Sequence, residues 1–271
     1  MLAGVHWQPA RIERVNRVLA TSTKPLLVAT DAGTALVKYM GNRAGLDALV
    51  TELLAAELAS RVGLRTPDFA VVEIPDIETN DPLVTVQGGP AFFSRWEQAQ
   101  SLSPNSKLLA NLRRPSDVAL LVVFDTWIRN KDRFADDADG GVLNYDNILF
   151  MPDKRKTQLL VIDHSHAFAE TSLEDEINDF WATEETVYGL FNEFAPMLTR
   201  HDVKSALDTL CAVAIGEIRD ICLSPPPEWG FTAGTANRLA DLLVTRANRM
   251  SDWLPDAIFD QMELDLDGKE A

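Results

Sequence analysis

The sequence is short of cysteine, short of basic charge and without a long apolar run, and each shortage removes a class of protein. Two cysteines, Cys211 and Cys222, in 271 residues give neither a disulfide framework nor a zinc spacing; both read as small buried hydrophobes in a helical region. The longest apolar run, VALLVVF at 118–124, is far too short to cross a bilayer. The opening MLAGVHWQPARIERV carries no stretch like a signal peptide. Lysine and arginine total 25 against 41 acidic residues, a formal net charge of −16. A surface so acidic repels phosphate backbones and anionic lipid, so neither nucleic acid nor a membrane is expected as a partner. A nucleotide that arrives with its own Mg2+ is not excluded. The expectation is a soluble, cytosolic protein.

Strand signals come first. PLLVAT and ALVKYM flank DAG at 31–33, a hairpin signal, after a weaker alternating stretch at 11–20 and before FAVVEI at 69–74. Between them, LDALVTELLAAELASRVG (46–63) spaces its apolar residues as a helix, and Gly63 stops it. A further strand is expected to end near Phe93. From about 105 the pattern turns helical: SDVALLVVFDTWIRN reads as an apolar helix with Ser116 as N-cap. Short strands NILF and LLVID follow, joined by MPDKRKTQ. Beyond 172 the chain reads as helical throughout, with segments near 174–182, 184–194, 200–222 and 233–253, and a frayed tail ELDLDGKEA. There is no internal repeat and no low-complexity tract. A strand-rich part with one helix, then a helical part, makes an α+β fold.

The chemistry concentrates in WIRNKDRFADDADGGVLNYDNILF (127–150) and LLVIDHSHAF (159–168). Asp163 ends an apolar strand, and burying a carboxylate is expensive unless a cation or donors meet it. Something must sit against Asp163. Asp132 on a loop, Asn147 at a strand start and Asp163 at the neighbouring strand end are able to converge. Oxygen ligands of this kind suit Mg2+, whose shell phosphates complete. Asp132 is then left to accept a proton from an attacking hydroxyl.

These residues carry a resemblance. VFDTWIRNKDR, NILF and LLVIDHSHAF resemble the catalytic core of the HipA-like kinases, a protein-kinase-like fold related to the phosphatidylinositol kinases. TSTKPLLVATDAGTALVKYM and ALVTELLAAELASRVGLRTPDFAVVEI extend the match, so that it runs from about 14 to 170 in the expected order. The resemblance implies a bilobal fold, with a small antiparallel-sheet N-lobe and one helix over 1–93 and a larger helical C-lobe over 94–271. It implies that Lys38 grips the nucleotide phosphates and Glu52 pairs with that lysine. TSTK, with Ser22, Thr23 and Lys24, corresponds to the phosphate loop, and FFSRWEQ near 92–98 to the hinge that meets adenine. Asp132 matches the catalytic aspartate, and Asn147 and Asp163 the metal ligands.

The chain departs from the family pattern in three places. Fourteen residues (133–146) separate Asp132 from Asn147, more than the family's spacing, and Asp139 with Asn144 offers a rival pair at the short spacing. Phe134 stands where a histidine is common. TSTK has no glycine, so its backbone approaches phosphates less freely. Glu57, in the apolar stripe of the 46–62 helix, rivals Glu52 and would itself need a partner if buried. His164 and His166 lack a third ligand for zinc and read as packing beneath the catalytic loop. DDADGG fails the spacing of a calcium loop, because Ala135 takes the first acidic position.

The leading reading is therefore a kinase that uses ATP and Mg2+ on a hydroxyl, first a serine or threonine of a protein, with a small-molecule hydroxyl still open. A lipid acceptor is disfavoured because no basic membrane-facing patch accompanies the acidic balance. The alternative is a catalytically weak nucleotide-binding regulator built on the same fold.

Overall fold

The computed structural model describes residues 2–21, 23–103, 106–133 and 145–267. Ser22, Phe134, the DDADGG stretch and the rival pair Asp139 and Asn144 lie outside the described residues. Strands β1 (Ile12–Val18), β2 (Leu26–Thr30), β3 (Gly33–Met40), β4 (Phe69–Ile74) and β5 (Gln87–Arg95) form one antiparallel sheet in the order β1-β2-β3-β5-β4. The β2–β3 turn works because Gly33 takes φ +113, a region closed to most side chains. Period-two alternation sends Val28, Val37, Tyr39 and Phe93 to one face, where Trp7, Val84 and Val86 cover them. Lys38 and Phe92 pair in register. Alternation places them opposite Val37 and Phe93, on the face where Phe69 and Phe92 pack with α1 (Asp47–Arg61). That helix ends as the sequence predicts, with Gly63 at φ +86 just beyond it.

A helical C-lobe follows. Helix α2 (Asp117–Ile128) is buried from Val118 to Ile128, as a helix apolar on every side must be. A short β6 (Gln100–Ser101), not anticipated from sequence, adds to the hairpin β7 (Ile148–Asp153) and β8 (Lys156–Val161) to give a second antiparallel sheet. After α3 (Leu173–Glu176) come α4 (Arg200–Cys211), α5 (Ile215–Cys222) and α6 (Ala233–Asp267). One contiguous core runs from α1 through α2 to α6.

Six expectations need correction. Cys211, read as buried, is exposed, whereas Cys222 is buried. His166, read as packing beneath the catalytic loop, is half exposed. Residues 172–199 are not helical throughout: only α3 and a 3-10 turn at Asn192–Met197 are regular. Tertiary hydrogen bonds hold this stretch instead, from Trp181 Nε1 to the Phe168 carbonyl at 2.7 Å and from Tyr188 N to Thr126 Oγ1 at 3.0 Å. The expected helix over 200–222 breaks into α4 and α5 at Ala212–Ala214. Ser116 stands at the start of α2 but its side chain makes no capping bond. The tail read as frayed continues α6 to Asp267.

Candidate functional site

The site is built around Lys38. Its Nζ bonds Glu52 Oε1 on α1 and Asp163 Oδ1 at 2.8 Å, so the cation expected against Asp163 is the β3 lysine. Asp163 sits just past β8 at φ +56, an uncommon conformation for a residue with a Cβ. Ser165 Oγ donates to the same Asp163 oxygen at 2.9 Å, and the His164 N–H donates to Glu52 Oε1 at 2.9 Å. Burial opposes the charge on Lys38, but the two carboxylates outweigh it and hold the ammonium above its ordinary range. Burial likewise pushes Asp163 up, yet Lys38 and the hydrogen bonds bring it well below the usual carboxylate range. Glu52 is raised to about 7, by burial first and with Lys38 opposing.

These groups face a cleft of about 360 Å³ lined by Leu19, Thr21, Leu36, Lys38, Phe92, Trp96, Asn147, Leu149, Leu160 and Asp163. One end is charged and the other apolar, the mixture a nucleotide needs. Ser94, Arg95, Trp96 and Glu97 of the expected hinge lie along it. Glu57 is buried as well, but away from Lys38: its carboxylate accepts the backbone N–H groups of Leu2 at 2.6 Å and Ala3 at 3.0 Å. Its partner is the amino-terminal segment.

Of the phosphate-loop residues, Thr23 is buried, and its carbonyl accepts from Asn42 Nδ2. Lys24, at φ +41, gives its ammonium to Asp81 at 2.8 Å, and its carbonyl accepts from Tyr39 at 3.0 Å. Neither lines the cleft; Leu19, Thr21 and Pro25 of the same loop do.

Asp132 lies in a 3-10 turn, Lys131–Arg133, after α2. Burial raises its carboxyl, while His166, with Nε2 at 3.9 Å, pulls it back. The charges of Asp163 and Lys38 bear on it too, which puts Asp132 at the edge of the same constellation. Asn147 is 7% exposed, and its side-chain amide has no hydrogen-bond partner among the described residues. The Asn147 amide and an ionised Asp163, lining one cleft, are a donor set that fits Mg2+. No cluster of three or more His, Cys, Asp or Glu suited to a metal occurs among the described residues, and His164 is held neutral by burial and by Arg133.

The residue that sequence reasoning missed is Arg133. Fully buried, it bonds Asp125 Oδ1 through Nη1 at 2.5 Å and the Ile162 and Asn147 carbonyls through Nη2 at 2.8 and 3.4 Å. One guanidinium thus ties the Asp132 turn to the chain beside both candidate metal ligands. Gly189 closes over it: its N–H donates to the Arg133 carbonyl at 2.9 Å, and a Cβ there would stand 2.5 Å from Asp125 Oδ2.

The sequence profile of the HipA-like kinases matches residues 12–254. The chain belongs to the HipA-like kinases. No curated protein matches it. Among solved structures, this HipA-like kinase is similar to the Helicobacter pylori proinflammatory kinase CtkA, at 13% identity and a TM-score of 0.53 over 89% of this chain and 97% of that one. Identity that low speaks to the fold alone, and the fold is the bilobal kinase-like one. No helix among the described residues is long and apolar enough to cross a membrane.

Proposed function

We propose that this HipA-like kinase transfers the γ-phosphate of ATP, bound with Mg2+, to a hydroxyl, first a serine or threonine of a protein. The observation that carries the reading is the Lys38 ammonium held between Glu52 and Asp163 at the charged end of the cleft. Residues 1–93 then act as the phosphate grip and 94–271 as the catalytic half. Lys38 holds the nucleotide phosphates, and Glu52 fixes the lysine. Asn147 and Asp163 hold Mg2+, which when bound offsets the charge of the phosphates. Trp96 and the apolar wall of Phe92, Leu149 and Leu160 receive the base. Asp132 orients the acceptor hydroxyl and takes its proton. Catalysis is positioning plus charge stabilisation.

A second reading, a weakly active nucleotide-binding regulator, draws on one observation: the glycine-free loop has its Lys24 committed to Asp81 rather than to the cleft. Incubation with γ-labelled ATP and Mg2+, alone and with protein or small-molecule hydroxyl acceptors, separates the two. Label in an acceptor supports transfer. Nucleotide-induced thermal stabilisation without label supports the regulator, and neither response removes the cleft as an ATP site.

A further inference from the structure

A second cavity, about 560 Å³, is larger than the cleft that holds Lys38. It forms where the amino-terminal segment, the stretch following α1, the start of α2 and β8 meet, and three arginines, Arg65, Arg113 and Arg114, line it. Arg113 is paired with Asp153. Arg114 is occupied by Asp117 and, through Nη2 at 3.0 Å, by the Gly63 carbonyl. Arg65 has no side-chain partner among the described residues. Of the three carboxylates in the wall, Asp68 is taken by Arg95 at 3.2 Å and Asp117 by Arg114, and Glu97 is left without an arginine partner among the described residues. In a chain of net charge −16, a concavity whose three guanidinium groups match its three carboxylates, Asp68, Glu97 and Asp117, is formally neutral and so less repulsive to an anion than the surface at large. Leu64 and Phe69 add an apolar side, so the cavity combines the two features of a small-molecule site.

We propose that this cavity is a second ligand site, for a small molecule bearing an oxyanion, phosphate or carboxylate, on a compact apolar body. Arg65 is its principal anchor, since a guanidinium free of carboxylate partners matches either oxyanion through paired N–H donors. The site is coupled to the cleft by shared walls: Pro67 and Glu97 line both cavities. The Arg65 carbonyl also accepts the Val161 N–H at 3.0 Å, two residues before Asp163. A ligand that holds Arg65 therefore acts on the segment that shapes the cleft, and nucleotide affinity changes with its occupancy by the reciprocity of linked binding.

The test is isothermal titration of the full chain with inorganic phosphate and, separately, with citrate, each with and without saturating Mg·ATP. The proteins compared are wild type, Arg65→Ala and Arg17→Ala, the last an exposed arginine on β1 that serves as control. At least one anion should bind wild type at millimolar concentration or better. Arg65→Ala should weaken that binding about tenfold, and Arg17→Ala should leave it unchanged. The two anion arms say whether phosphate or carboxylate is preferred. No binding by either anion, or equal binding by Arg65→Ala and wild type, overturns the proposal. This readout needs no phosphoryl transfer, so the kinase chemistry and the second site fail separately.

Discussion

Arg133 and Asp125 form an ion pair, Nη1 to Oδ1 at 2.5 Å, in which neither side chain touches solvent. Removing one member leaves a buried charge without its partner, which destabilises a protein by about 3–5 kcal/mol. Arg133→Met should lower unfolding free energy by roughly that amount in chemical denaturation. The double variant with Asp125→Leu should recover part of the loss, because the stranded carboxylate is gone. A double variant that loses the full sum of the two single losses would mean that the pair is not coupled.

Asp132 and Asp163 should fail in different ways. Asp163→Ala removes a charged oxygen ligand and a partner of Lys38, so Mg2+-dependent ATP affinity and transfer should both fall. Asp132→Asn keeps the shape of the turn and removes the proton acceptor. Transfer should then drop by about two to four orders of magnitude, the usual weight of a general base, with ATP affinity little changed. An Asp132→Asn protein with full turnover would move the base elsewhere.

The acid limb of the rate profile should also belong to Asp132. Burial lifts its carboxyl above the ordinary value of 3.8, with the His166 charge opposing. Only the ionised form accepts a proton, so transfer at saturating Mg·ATP should fall as pH drops through a midpoint above 3.8. The residual rate of Asp132→Asn should lack that limb. A midpoint at or below the ordinary value, or a limb that persists in the variant, argues for another titrating group.

Lys24 is the one phosphate-loop cation among the described residues, and Asp81 holds it at 2.8 Å. Asp81→Asn removes the charge that holds the ammonium and keeps an acceptor for the Leu83 N–H, which Asp81 Oδ1 takes at 2.9 Å. The melting temperature should stay close to that of wild type while Mg·ATP affinity rises several-fold, as calorimetry would register. Unchanged affinity would mean that Lys24 does not reach the phosphates even when free.

Much of the fold, and the need of Asp163 for a cation, was legible because those signals are local or need only one partner; Lys38 and Glu52 entered through the family resemblance, since the helix pattern itself pointed to Glu57. Alternation in β2 and β3, the glycine stop after α1 and the aspartate that ends an apolar strand each carry their own physical reason. Asp125 carried the same reason as Asp163, a carboxylate inside an apolar run, and went unread; Arg133 was its hidden partner. Glu57 announced a need for donors, but nothing in the helix pattern could name the N–H groups of Leu2 and Ala3, which lie far away in sequence. Residues 172–199 misled because their composition favours helix while distant groups, the Phe168 carbonyl and Thr126, supply the bonds that hold them otherwise. The ammonium of Lys24 was assigned by order along the chain, and order is silent about Asp81.

Gly189 binds two distant positions into one evolutionary choice. At φ +71, with Asp125 Oδ2 only 2.5 Å from where a Cβ would stand, it admits no side chain while the carboxylate remains. Relatives that keep an aspartate at 125 should keep glycine at 189. In a saturation library built on this chain, alanine at 189 should be rare among folded members, because the left-handed φ strains any side chain there and the Asp125 carboxylate leaves it no room.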